Sequence, residues 1–159
     1  MPMKIAVLED HEGRKALMQS CLADRFYMYE IRFFDEPTTM IQFLQENLTE
    51  TLVIGLDHDL ELKPGPCGQW TDPGTGREVA DYLARQPPVC PVVIHSSNTP
   101  AAVGMEMVLQ DAGWKTQRVV PFEDMDWIPN EWFRTIRRAV LEMARSAMSA
   151  DRVSSQRSL

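Results

Sequence analysis

Five short runs rich in β-branched residues, each followed by an amphipathic stretch, constrain this chain more than any other feature of its sequence. Residues 4–8, 28–33, 52–56, 92–95 and 118–120 read as strands, because short apolar runs bounded by turn formers suit strands buried on both faces. The segments between them carry helix-start signals with a mechanism. Thr75 and Glu78 have the spacing of a capping box, and Thr99 can cap a helix whose first position is Pro100. Asn130 follows Pro129 ahead of Trp132, Phe133, Ile136, Val140 and Met143 at helical spacing. Helices near residues 12–24 and 37–47 complete five β-α pairs. Strict alternation requires crossover connections, and right-handed crossovers imply an α/β, doubly wound, five-stranded parallel sheet in order 2-1-3-4-5 with helices on both faces. On this pattern Leu17, Cys21 and Met107 are expected in the core.

A chain of 159 residues suits one ordinary domain, expected over residues 1–145; residues 146–159, rich in Ser and Arg, read as a flexible C-terminal tail. The apolar runs are too short to cross a bilayer, so no membrane role is expected. Three widely spaced cysteines without a CxxC pair read as reduced thiols, which points to a cytoplasmic location and against a zinc ribbon. A net charge of -7 disfavours a nucleic-acid polymer as partner, and Arg134, Arg137 and Arg138 read as a solvated helix face. Residues 61–74 contain Lys63-Pro64-Gly65-Pro66-Cys67-Gly68 and Asp72-Pro73-Gly74 and are expected to form a loop, with Trp70 either a lid residue or an anchor on the body.

Chemistry concentrates at the strand ends. Ligands of open parallel sheets bind outside the carboxyl ends of the strands, where the connecting loops diverge. The first strand ends in Glu9-Asp10-His11, the third in Asp57-His58-Asp59 and the fourth in His95-Ser96-Ser97-Asn98, so every histidine of the chain falls at such an end.

These residues resemble the response-regulator receiver domain, with its receiver- or flavodoxin-like fold, over nearly all of residues 3–143. Glu9 and Asp10 match its acidic pair, Asp57 its phosphoacceptor, Ser96 its hydroxyl residue after the fourth strand and Pro121 its proline after the fifth. The resemblance implies a divalent cation at Glu9, Asp10 and Asp57, with Mg²⁺ the expected metal and Mn²⁺ or Zn²⁺ as alternatives, and a phosphoryl group oriented by Ser96. The chain departs from the receiver pattern at Val120, where the receiver lysine would stand, and in the long segment after Asp57. Asp-His-Asp-Leu and His-Ser-Ser-Asn are similar instead to the divergent group of cyclic-phosphate-processing receivers.

Histidine chemistry accords with that likeness. Hydrolysis of a cyclic phosphodiester needs a base to activate water and an acid to protonate the leaving alkoxide, roles that His58 and His95 can divide, with Asp57 or Asp59 orienting an imidazole and Ser96 or Asn98 binding phosphate. A transition metal held by His11, His58 and His95 with a carboxylate is the other reading of the same residues. In an extended strand end, Asp57 and Asp59 share one side and His58 takes the other, so His58 reaches the crevice only if the chain bends. The expected partner is thus a small phosphate compound.

Other functions fit parts of the pattern. Asp57-x-Asp59 also occurs in phosphatases of the haloacid dehalogenase type, with Lys115, Glu123 and Asp124 as loose partners, although there the motif opens the fold. A signalling receiver phosphorylated on Asp57 is one alternative. A non-catalytic interaction module with a protein partner, using Trp127, Trp132 and Phe133, is another.

Overall fold

The computed structural model describes residues 2–122 and 124–157. Glu123 and the end of the expected tail, residues 158–159, lie outside them. In chain order the elements are β1 (Lys4–Leu8), α1 (Glu12–Arg25), β2 (Glu30–Phe34), α2 (Pro37–Asn47), a 3₁₀ turn (Leu48–Glu50), β3 (Thr51–Leu56), β4 (Lys63–Pro64), β5 (Trp70–Thr71), α3 (Gly76–Ala84), β6 (Val92–His95), α4 (Thr99–Asp111), β7 (Thr116–Val119), a π-helical turn (Ile128–Trp132) and α5 (Phe133–Arg157). The main sheet has order β2-β1-β3-β6-β7 and every neighbouring pair is parallel. Counting only its own strands, this is the 2-1-3-4-5 order that the alternation predicts.

Strand alternation divides the core into two layers. Ala6, Leu8, Ile54, Leu56, Val92 and Ile94 meet residues of α2, α3 and α4. Ile5, Val7, Val53 and Val93 meet α1, α5 and the π-helical turn. The three central strands, β1, β3 and β6, are buried throughout, which is why they read as nearly continuous apolar runs, whereas the edge strands β2 and β7 carry exposed Arg32, Gln117 and Arg118.

Local chemistry moved several boundaries. A turn in which the Tyr29 amide donates to the Phe26 carbonyl delays β2 to Glu30. Asn98, not Thr99, caps α4: its side chain accepts from the Ala101 amide, leaving Thr99 and Pro100 inside the first turn. Thr75 does cap α3, through the Arg77 amide. Asn130 lies within the π-helical turn, whose first turn holds Pro129, so the helical path begins before the expected cap. Met107 is 58 % exposed because the buried stripe of α4 runs through Ala102, Met105 and Leu109. Trp127 and Trp132 are fully buried, and belong to the core and not to an exposed interface.

The segment expected to be all loop contains the antiparallel hairpin β4–β5, closed by the Gly65 amide to the Gln69 carbonyl and by Gly68 at φ 78°. Trp70 projects from it, 68 % exposed, so it is no anchor on the body. Lys63 ties the hairpin base to Asp35 and Glu36 at 2.8 and 3.3 Å. The chain beyond residue 145 continues α5 as an exposed helix through Arg157. No described helix is long and apolar enough to cross a membrane.

Candidate functional site

Register alone brings three candidate side chains to one level. Leu8 pairs with Leu56 and Leu56 with Ile94, so the next residue on each strand, Glu9, Asp57 and His95, stands at the same height on three adjacent strands. Because Leu8, Leu56 and Ile94 point into the α2–α4 layer, the residues after them turn toward α1 and the π-helical turn. One ligand-type atom from each lies within 4.8 Å of the others, and all three residues are buried.

The environment on that side holds the group in place. His95 is fully buried; it stacks on Trp127 with ring centroids 6.1 Å apart and meets the edge of Trp132 at 6.0 Å. Its Nε2 lies 3.2 Å from Glu9 Oε2, while Nδ1 has no hydrogen-bond partner among the described residues. The other Glu9 oxygen accepts from the His11 amide at 2.9 Å. Arg14, on α1, rests over the Trp127 ring at 5.6 Å and holds its guanidinium 3.9 Å from both Glu9 and Asp57. A residue at the start of α1 carries no local sequence signal for this role. It faces the carboxylates only because α1 packs on the same side of the sheet as the strand-end acids.

The two carboxyls respond differently to this setting. Burial pushes Asp57 up to about 6, with the neighbouring Glu9 adding to the effect and His95, the His58 amide and Arg14 opposing it. Burial also acts against the Glu9 charge, but the hydrogen bond and charge of His95, the His11 amide and Arg14 together hold its carboxyl below the ordinary range. Glu9 is the settled anion of the pair, and Asp57 the member short of positive charge.

Next to this group lies a more open one. The chain bends at His58, whose amide donates to Asp57 Oδ1 at 2.7 Å and whose Nδ1 is 2.6 Å from Asp59 Oδ1. The Asn98 side-chain amide donates to both Asp59 oxygens at 3.3 and 3.4 Å. His58, Asp59 and Asn98 thus form a hydrogen-bonded chain at the ends of β3 and β6, with the His58 side chain 17 % exposed. Gly76 makes this approach possible. A Cβ there would stand 1.8 Å from the Asp57 carbonyl oxygen, and the Gly76 amide donates to the His58 carbonyl.

The remaining expected residues are dispersed around these two groups. Asp10 accepts from the Glu61 amide at 2.6 Å, tying the strand end to the hairpin segment, and is not among the three grouped ligand atoms. His11 is exposed and caps α1, its Nδ1 accepting from the Arg14 amide. Buried Ser96 accepts from the Asn98 amide. The trio His11, His58 and His95 is therefore not gathered into one ligand set.

Two carboxylates and an imidazole with ligand-type atoms within 4.8 Å of one another suit a divalent cation, whose charge would offset the repulsion between Glu9 and Asp57.

Residues 8–111 match the cyclic-phosphate processing receiver domain. Among solved structures, the phosphorylated cyanobacterial phytochrome response regulator RcpA superposes with a TM-score of 0.66 at 18% identity, over 89% of this chain and 95% of that one. A response regulator receiver domain from Rhodospirillum rubrum gives 0.61 at 16%, over 89% and 94%. The Mn²⁺-bound form of response regulator Rcp1 gives 0.59 at 18%, over 84% and 96%. Likeness at these identities concerns the fold alone. No curated protein sequence matches the chain.

Proposed function

The chain belongs to the cyclic-phosphate processing receiver family, and from that premise we propose that its strand-end crevice hydrolyses a small cyclic phosphodiester. The observation that carries the reading is the His58–Asp59–Asn98 chain, joined to the buried Glu9–Asp57–His95 group by the His58 amide that donates to Asp57. Asp59 orients the imidazole through Nδ1, which leaves Nε2 for proton transfer at the open side. Water attacks phosphorus as His58 Nε2 takes its proton; one ring P–O ester bond breaks, and the same proton passes to the departing alkoxide. The products are a phosphomonoester and a free hydroxyl.

Glu9, Asp57 and His95 are the residues that would hold a divalent cation, and such a cation supplies charge neutralisation for a phosphate beside two carboxylates. Asp10, further out, would complete its surroundings through water. Arg14 provides a fixed positive charge at the acids, on a chain whose Val120 replaces the receiver lysine. Ser96 and Asn98 follow β6 and place a hydroxyl and an amide near the phosphate oxygens. His95 sits behind the carboxylates, with no exposed surface, and its proposed part is to hold the cation and set the charge of Glu9.

Purified chain incubated with 2′,3′-cyclic and 3′,5′-cyclic nucleotides, with Mn²⁺, Zn²⁺, Mg²⁺ or chelator, tests this. Metal-dependent turnover is expected, reduced on the order of a hundredfold by His58→Ala and by Asp57→Asn. Turnover that survives His58→Ala removes the dyad from the mechanism. No turnover, with acetyl phosphate labelling Asp57, replaces hydrolysis by phosphoryl acceptance.

A further inference from the structure

A single stripe of α5 departs from the charge of the rest of the molecule. The helix holds six arginines and two acids, a net charge of +4, so the remainder of the chain carries -11 against a total of -7. At about 100° per residue, Arg134, Arg138, Arg145 and Arg152 fall within about 40° of one another around the helix. Arg137, Leu141 and Met148 flank them on one side. Ile136, Ala139 and Val140 point to the opposite half of the helix, into the core, so the stripe faces directly outward.

None of these arginines has a carboxylate partner within ion-pair distance among the described residues, although Glu142 is on the same helix. Arg134, Arg137, Arg138, Leu141, Glu142 and Arg145 line a shallow depression of about 500 Å³. Leu141 is 40 % and Met148 61 % exposed.

We propose that this stripe docks an acidic amphipathic helix of a partner protein. Charge complementarity gives the sign of the partner, and spacing gives its form. Arg138, Arg145 and Arg152 recur every seven residues, as do Leu141 and Met148. This is the interleaving of flanking charge and apolar seam by which one helix lies along another. The stripe extends over about 27 Å, the length of five helical turns. Two apolar side chains among five guanidiniums are too few to seat a helix in a lipid interface, where an apolar face must be buried. A polyanion longer than the stripe would run past the arginines toward the rest of the chain, which carries -11, whereas an acidic helix of matching length ends with them.

The full chain is titrated into three labelled probes while fluorescence anisotropy is followed: a 21-residue helix with Leu at a and d and Glu at e and g, the same helix with Lys at e and g, and a 30-nucleotide single-stranded DNA. Vesicles containing phosphatidylglycerol are tested by co-sedimentation. Expected are saturable binding of the acidic helix, at least tenfold tighter than of any other probe, and at least tenfold weakening by the double variant Arg138→Glu/Arg145→Glu and by Leu141→Asp. These positions are exposed, and unchanged melting of the variants shows that the fold is intact. Equal or tighter binding of DNA or vesicles, binding unaffected by charge reversal, self-association of the chain abolished by the same variants, or no binding of the acidic helix up to 100 µM each overturns the proposal.

Discussion

Asp57 is held between two opposing requirements. Its place one residue beyond Leu56 puts it beside Glu9 and His95, and that same burial pushes its pKa up to about 6. A carboxyl that keeps its proton to higher pH in the folded than in the unfolded chain makes stability fall as pH rises from about 4 to about 6, after which the loss is constant. Glu9 has the opposite sign: its lowered pKa contributes stability above the ordinary carboxylate range, lost as pH falls through the folded value. Asp57→Asn should therefore raise the melting temperature at pH 7.5 in chelator by several degrees, from a penalty of at most roughly 3 kcal/mol, and the gap should close toward pH 4. Mn²⁺ should reverse the order by stabilising the native chain and not the variant. Equal melting of the two proteins at both pH values and with Mn²⁺ would remove Asp57 from any cation site. The pairing of the strand-end acids with a histidine was legible because strand periodicity fixes both level and face. Arg14 and the two tryptophans were not, because their contact with His95 depends on how α1 and the π-helical turn pack on the sheet.

At the level of elements, the start of α3 controls the open half of the site. Thr75 caps the helix, and Gly76 lets its first turn lie against the backbone of Asp57 and His58. A methyl at Gly76 would meet a carbonyl oxygen at 1.8 Å, and backbone cannot yield as a side chain does, so the helix or the bend must shift. Gly76→Ala should cost on the order of 3 kcal/mol and disturb the His58–Asp59 pair. Gly104→Ala, in the middle of α4, is the control: its added methyl meets only the end of the Arg77 side chain at 3.3 Å, and helix propensity should offset the contact or add up to about 1 kcal/mol. Thermal melts of the two variants with equal loss would contradict this account. Helix starts were readable where one side chain does the capping, as at Thr75. They slipped by a residue where Asn98 and Thr99 stand side by side, since Asn is the stronger cap, and at Asn130 because a Pro-led π turn starts the helical path earlier. The hairpin β4–β5 was hidden by its prolines and glycines, which break a long strand but permit two paired residues on either side of a turn.

Across the whole molecule, strand order followed from the alternation because right-handed crossovers leave few ways to lay five parallel strands with both faces covered. The course of the chain after residue 145 did not follow from composition. Ser and Arg in place of large apolar residues read as a tail, yet adding turns to an existing helix avoids the nucleation cost that a separate helix would bear. The distinction between exposed helix and core gives a sharp expectation. Residues 146–157 are all exposed, and the buried contacts of α5 end before them, at Ile136, Ala139 and Val140 with Met143 partly buried. A chain ending at Arg145 should therefore retain the fold and melt within about 2 °C of the full chain. It should hydrolyse a cyclic nucleotide as the full chain does, because no residue of the crevice lies beyond that point. Its hold on an acidic helix should weaken, since Met148 and Arg152 are removed while Arg138, Leu141 and Arg145 remain. A large drop in melting temperature on this truncation would show that the projecting helix packs on the body, and that the domain does not close at residue 145.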